Sequence, residues 1–445
     1  MLPTLILAGG LAGLVSAHKG CGGAGHEVVR RNPGGVLLDE VVTRGGRKRA
    51  DTNPCSGYTY APTQGLAAKY PPVLDIATIL PSDTAARALF NSIDSRVRSA
   101  LPHTVPRGTP SGDRTGVVYD AAADPDCWWT YSQCTSPSAS TGLEKDITTV
   151  PEPGSMGLSY DDGPHCANAP LYKWMKDNEV RASLYYIGGN TLSWPLQAID
   201  GYEGGHEMCI HSWSHHAMTA LSNEQVFAEL YYSQRIMKDV VGVTPKCWRP
   251  PYGDVDNRVR MFAEGLGLRT HIWSEDTDDW TLDNGASPEK VSGNYQNIIN
   301  NMRNGKYATF GPVVLSHENS EKTINEALKF LPSLKSTFVA LLPIATAYNM
   351  SHPYAEANVT YPDFAQYSAG RNVVIVSSAL PSSTPPASST SAISTVAPEL
   401  ISPSSGTSNQ LAQSTSGGKR AVSVASGMAV VVIVAATLAG LGGGW

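Results

Sequence analysis

Between residues 154 and about 345, short apolar runs alternate with longer segments that carry an apolar stripe. Residues 156–160, 182–187, 206–210, 272–274 and 313–316 read as buried strands, and 170–178, 223–240, 256–265 and 287–302 as helices. Strands alternating with helices imply a parallel sheet, either open or closed into a barrel. Upstream, residues 55–152 have mixed polarity and many prolines, with one helix-like stretch at 83–100 that puts Ala86, Leu89, Ile93 and Val97 on one face. Trp128, Trp129 and Tyr131 stand between Cys127 and Cys134, a spacing read as packing beside a small disulfide loop rather than as a sugar-stacking platform.

The two ends have a different texture. Residues 1–17 are apolar and finish on Val15-Ser16-Ala17, the pattern of a secretory signal peptide. Residues 377–416 are rich in Ser, Thr, Pro and Ala and cannot bury enough apolar surface to offset their ordering entropy, so a disordered stalk is expected. Small residues at 416–418, a spacer at 419–427 and an apolar tail at 428–445 have the layout of a GPI-anchor signal, with Ser416 as the attachment residue. Arg47-Lys48-Arg49 closes a Gly-rich stretch in the manner of a dibasic maturation site. The expected organisation is a signal peptide (1–17), a propeptide (18–49), an N-terminal extension (50–153), a core domain (154–345), a C-terminal extension (346–376), the stalk (377–416) and an anchor signal removed on maturation (417–445).

Composition adjusts this picture modestly. The 445 residues are 41% hydrophobic and 16% charged, which suits a globular core and excludes a mostly disordered chain or a multi-span membrane protein. The formal charge of −6 argues against nucleic acid, which needs a basic face. Loss of 18–49 and of the tail would take nine basic residues and three acidic ones, doubling that charge. It would also take the odd cysteine, Cys21, and leave six in an oxidising compartment. Cys166, Cys209 and Cys247 lie near the motifs described next, and secretion favours disulfides over metal ligation for them. Sequons at Asn349 and Asn358 fit an exposed, glycosylated surface.

Five clusters carry candidate chemistry. Ser159-Tyr160-Asp161-Asp162-Gly163-Pro164 follows an apolar run, and adjacent carboxylates on an extended backbone can serve different tasks; taken alone, it is equally a turn. In His211-Ser212-Trp213-Ser214-His215 the two imidazoles share a face if the segment forms a helical turn, with His216 as a competitor. Arg249-Pro250-Pro251-Tyr252-Gly253 makes a rigid loop able to aim a guanidinium and a backbone N–H. Asp276-Thr277-Asp278-Asp279-Trp280 and Leu315-Ser316-His317 complete the set. All five fall at or beyond the C-terminal ends of predicted strands, where α/β enzymes place their sites.

In this order the five clusters resemble the polysaccharide deacetylase family (NodB-like, carbohydrate esterase family four), most of all its GPI-anchored fungal chitin deacetylases. The resemblance spans about 154–345, with stretches at 184–190 and 221–225 in support; Ser159-Tyr160 stands where Thr-Phe is commoner, and His216 where Pro is common. It implies a distorted (β/α) barrel of the NodB type. It implies Asp161 as general base, and Asp162, His211 and His215 as ligands of a divalent metal, zinc before cobalt or manganese. Arg249 would orient Asp161, the Tyr252 N–H would face the oxyanion, and Asp279 would orient His317, the general acid. Trp280 and Leu315 would wall the acetyl pocket, with no clear role for Asp276. The implied activity is hydrolysis of N-acetyl groups of chitin or N-acetylglucosamine oligomers, giving chitosan and acetate, by a monomer anchored at the plasma membrane or cell wall. The doubled acidity suits a polycationic product. Xylan or peptidoglycan would be sibling substrates. A non-catalytic chitin-binding wall mannoprotein is disfavoured because no reacting group is missing.

Overall fold

The structure, a computed structural model, describes residues 55–370 and the backbone of 374–375. The expected signal peptide, propeptide with Cys21, stalk, attachment residue Ser416 and anchor signal lie outside the described residues. The N-terminal extension forms α1 (Thr84–Ala100) and a single turn, α2 (Trp129–Ser132). Asp83 caps α1 by accepting from the Ala86 N–H. The buried face of α1 is Ala86, Phe90, Ile93 and Val97, and Phe90 packs on Phe227 and Phe262. Leu89, expected on that face, is 40% exposed, because Phe90 at four residues from Ala86 holds the centre of the stripe.

The core runs β1 (Thr149–Val150), β2 (Met156–Gly163), α3 (Ala169–Asp177), β3 (Ser183–Tyr186), α4 (Gly188–Ser193), α5 (Pro195–Glu203), β4 (Glu207–Ile210), α6 (Asn223–Val241), β5 (Cys247–Trp248), α7 (Asn257–Gly265), β6 (Arg269–Thr270), β7 (Glu275–Asp276), α8 (Pro288–Arg303), β8 (Gly311–Leu315), α9 (Glu321–Thr337) and β9 (Leu341–Leu342). The sheet order is β1-β8-β2-β3-β4-β5-β6, with β7 also on β8 and β9 on β2. All pairings are parallel except β1 with β8. Ile147 joins the edges: its N–H donates to Thr270 O at 3.0 Å and its carbonyl accepts from the Ile272 N–H at 2.8 Å. The sheet therefore curls into the expected distorted (β/α) barrel, and the residue that bridges its seam comes from the extension.

Side chains alternate across this sheet. Leu158, Tyr160, Leu184, Tyr186, Met208 and Ile210 pack with the helices in one core, while Tyr185, Cys209, Cys247 and Val313 join Ile147, Val150 and Leu342 in a second. The expected strand at 272–274 is instead a connector between β6 and β7, fixed by the Ile147 bridge. The sequence reading also lacked α9, in which Pro332 interrupts the helical signal. A capping box at Ser320 and the buried face of Ile324, Ala327, Leu331 and Leu334 hold that helix together. The disulfides are Cys55–Cys166, Cys127–Cys134 and Cys209–Cys247. The first ties the start of the extension to the loop after β2, and the third crosslinks β4 to β5. Both sequon asparagines, Asn349 and Asn358, are exposed. Among the described residues no helix is long and apolar enough to cross a membrane.

Candidate active site

β2 delivers both aspartates to one end of the barrel. Asp161 follows the strand alternation, but the register of β2 against β3 shifts between Asp161 and Gly163, and Asp162 takes a left-handed φ of 68°. This bulge lets neighbouring carboxylates serve one mouth instead of opposite faces. Asp161 bridges to His317 beyond β8: its N–H donates to Ser316 O at 2.9 Å, and its carbonyl accepts from the Glu318 N–H at 3.0 Å.

Arg249, at the end of β5, is fully buried. Its Nη1 donates to Asp161 Oδ1 at 2.6 Å and to Ser159 Oγ at 2.9 Å, and its guanidinium carbon sits 4.0 Å from the Tyr185 ring centroid. Ser159 in place of Thr thus keeps the hydroxyl that the arginine uses. The charge pair holds Asp161 in one orientation.

The histidine segment behaves differently from the expected helical turn. Residues 211–217 form an irregular loop in which Ser212 and His215 have φ of 60° and 58°. The two imidazoles converge nevertheless: His211 Nε2 and His215 Nε2 face Asp162 Oδ1 at 3.4 and 3.0 Å. His211 Nδ1 bonds the Arg249 carbonyl at 2.7 Å, which places its proton there and leaves the Nε2 lone pair toward Asp162. His216, the competitor, turns its Nδ1 to Ser214 Oγ at 2.8 Å. Burial opposes ionisation of Asp162, but the neighbouring His215 holds its carboxyl well below the usual range.

The donor atoms of Asp162, His211 and His215 lie within 4.8 Å of one another, and Asp162 Oδ1 is a buried atom with no hydrogen bond of good geometry. Two imidazole nitrogens and one carboxylate oxygen are the donor set of a catalytic zinc site, which takes three protein ligands and a water, and so fit such a divalent cation. Three other clusters of metal-binding residue types among the described residues each contain a disulfide-bonded cysteine pair, whose sulfurs cannot ligate as thiolates.

Asp279 grips His317 twice, accepting from its backbone N–H at 2.8 Å through Oδ2 and bonding Nδ1 at 2.6 Å through Oδ1. Burial would strip the imidazole of its proton, but Asp279, with Asp162 and Asp161 beyond, pushes its pKa up to about 10. Asp276 accepts from the Asp278 N–H at 2.8 Å, and burial pushes its carboxyl up to about 6. Trp280 directly follows Asp279, and the carbonyl of Leu315 accepts from Thr277 N and Oγ1 at 3.2 and 2.9 Å. Tyr252 sits in the turn Pro251–Gly253 with φ of 59°, and its hydroxyl donates to His215 O at 3.2 Å.

Comparison with known proteins bears on this arrangement. The polysaccharide deacetylase family matches residues 149–271. Chitin deacetylase 2 of Cryptococcus neoformans var. grubii is 50% identical over 364 residues, covering 81% of this chain and 79% of that one. The chain belongs to the polysaccharide deacetylase family. Chitin deacetylase of Amylomyces rouxii is 40% identical over 311 residues, 68% of this chain and 72% of that one. Among solved structures, the chitin deacetylase of Colletotrichum lindemuthianum aligns with a TM-score of 0.43 at 24% identity, over 46% of this chain and 92% of that one. As a polysaccharide deacetylase, the chain holds its last two motifs, Asp276–Trp280 and Leu315–His317, outside the matched segment; parallel pairing of β7 and β2 with β8 brings them to the other three.

The polysaccharide deacetylase site also uses residues that the sequence reading passed over. Asn319 Nδ2 donates to Asp162 Oδ2 at 2.9 Å. Glu229 of α6 accepts from Trp213 N at 2.8 Å and from Ser214 N and Oγ at 2.9 and 2.7 Å, and so shapes the histidine loop; it also accepts from Ala77 N of the extension at 2.7 Å. Glu318 lies beneath the aspartates against Tyr172 Oη at 2.7 Å, and burial raises its pKa to about 8. One signal was legible: Glu229 falls on the apolar face of α6, where a charge calls for partners.

Proposed function

We propose that this chain removes N-acetyl groups from chitin, giving chitosan and acetate. The observation that carries the reading is the meeting of three sets at one barrel mouth: the Asp161–Arg249 pair, the His317–Asp279 pair and the Asp162–His211–His215 cluster. The names of the fungal relatives support chitin as the acetylated glycan. A divalent cation held by Asp162, His211 and His215, zinc before cobalt or manganese, would supply Lewis-acid polarisation and lower the pKa of water.

In the proposed reaction, Asp161 takes a proton from water as its oxygen attacks the acetyl carbonyl, and Arg249 keeps the carboxylate aimed. The carbonyl oxygen gains negative charge opposite the backbone N–H of Tyr252. His317, held cationic by Asp279, then protonates the amide nitrogen, so that the C–N bond breaks and leaves a free amine and acetate. Trp280 and Leu315 wall the methyl group.

Acetate release from N-acetylglucosamine oligomers, with acetylated xylan and peptidoglycan as parallel substrates, tests the assignment. Release from chitin oligomers is expected. Release only from another glycan would change the substrate, and none from any would remove the activity. The composition of the two ends further supports delivery to the cell surface on a GPI anchor, which release from intact cells by phosphatidylinositol-specific phospholipase C would check.

A pH effect follows from the His317–Asp279 pair. Activity that needs protonated His317 is present below its pKa and lost as pH rises through it, so the alkaline limb belongs to this group. Asp279→Asn removes the nearest negative charge. The alkaline limb of kcat/KM should then move down by roughly 1–3 pH units, and kcat should fall. An alkaline limb that stays in place in the folded variant would reject His317 as the acid.

A further inference from the structure

Asp254 lies two residues past Tyr252 and is completely buried. Its Oδ1 accepts from Trp128 Nε1 at 2.9 Å, Thr130 Oγ1 at 2.6 Å and Arg114 Nη2 at 3.1 Å. Its Oδ2 accepts from Thr219 N at 2.8 Å and Thr219 Oγ1 at 2.7 Å. The Oδ1 donors all come from the N-terminal extension, and the barrel itself provides only Thr219. Two backbone bonds frame the same contact, Trp129 N to Val255 O at 3.0 Å and Asn257 N to Asp126 O at 2.8 Å.

Trp129 closes over the turn. A Cβ at residue 253 would stand 2.3 Å from Trp129 Cζ3, so Gly253 is required both for this approach and for its φ of 68°. The ring also meets Trp273 at 5.0 Å between centroids, and Trp273 lies 5.9 Å from the Arg249 guanidinium. The Cys127–Cys134 disulfide closes the short loop that bears these residues.

Tyr252 is the residue held between Pro250-Pro251 and this clamp, in a left-handed conformation that a bulky side chain adopts only when its surroundings enforce it. An oxyanion donor is effective when its direction is fixed before the charge develops. We propose that Asp254 and the Cys127–Cys134 loop of the extension are positioning elements that hold the Tyr252 backbone N–H in its catalytic direction. This rests on the deacetylase reading above, in which that N–H faces the oxyanion. The extension is then part of the active site although none of its residues touches the reacting atoms.

The test uses the full chain loaded with zinc and an N-acetylglucosamine tetramer as substrate. Thr130→Val removes, at constant shape, the donor to Asp254 and the acceptor that Arg114 Nη2 meets at 3.4 Å, and Thr130→Ser keeps the hydroxyl. Thr130→Val should lower kcat about tenfold, less than the roughly hundredfold that a 1 Å misplacement costs, with KM and zinc content unchanged and the protein still fully folded at the assay temperature. Thr130→Ser should restore kcat. Asp254→Asn, which sets an amide N–H against the Thr219 or extension donors, should lose roughly a hundredfold or more, up to the loss of an oxyanion donor. If Asp254→Asn does not fold, the Thr130 pair decides alone. Unaltered kcat in Thr130→Val, or a fall matched by lost zinc or lost folded protein, overturns the clamp while leaving the deacetylase reading intact. An unaltered chain that releases no acetate overturns both.

Discussion

Asp161→Asn should lower acetate release by roughly three orders of magnitude or more, the upper part of the range for loss of a general base, while the protein keeps its cation. The substitution is close to isosteric. An asparagine oxygen can still accept from Arg249 Nη1, now 2.6 Å from Asp161 Oδ1, and Ser159 Oγ remains on the same guanidinium nitrogen. The buried arginine therefore keeps partners and the barrel mouth keeps its shape. What disappears is the group able to take a proton from water. Metal retention is the discriminating measurement, because Asp161 Oδ2 lies 3.7 Å from His211 Nε2, at the border of the ligand cluster. Steady-state kinetics with zinc content measured on the same preparation reads both quantities. Loss of zinc from Asp161→Asn with retention in Asp162→Asn would mean that the two aspartates have the opposite roles.

His215→Ala is expected to abolish both zinc retention and acetate release, as EDTA should for the unaltered protein. His215 is the imidazole nearest Asp162 Oδ1, and its side chain is only 9% exposed, so its loss takes one of three ligands from an enclosed cluster. A variant of its support gives the graded comparison. Asn319→Ala leaves all three donor atoms in place but frees Asp162 Oδ2, and should weaken zinc binding about 10- to 100-fold, the usual effect of losing such a partner. Competitive chelator titration distinguishes the two degrees of loss. Full turnover by zinc-free His215→Ala would reject metal assistance without touching the Asp161 and His317 assignments.

Much of this site was legible along the chain. Asp161, Asp162, His211, His215, Arg249, Asp279 and His317 all stand at the C-terminal ends of strands or just beyond, because a parallel barrel collects those ends at one mouth. Strand positions followed from local patterning for 156–160, 182–187 and 206–210, where each run is mainly apolar. The reading failed where long-range contacts outweighed local signal. Residues 272–274 look like a strand, but Ile272 pairs with Ile147, more than a hundred residues away, and serves the barrel seam. The spacing of His211 and His215 suits a helix, yet Glu229 draws Trp213 and Ser214 into a loop with left-handed residues.

The N-terminal extension shows the division most sharply. Its sequence offered one amphipathic helix, a short cysteine pair and aromatics with no evident task. Its connections reach three motif loops: Cys55 to Cys166 beyond the aspartates, Ala77 to Glu229 behind the histidines, and Trp128, Trp129 and Thr130 to the turn at Tyr252. Which residue types gather at the site, and in what order, is written locally, because acids, bases and ligands are recognisable by their own chemistry. Which carboxylate faces which imidazole, and what holds the oxyanion turn, is settled only by folding. Those partners lie from 35 to 140 residues apart, and the geometry that pairs them exists only in the closed barrel.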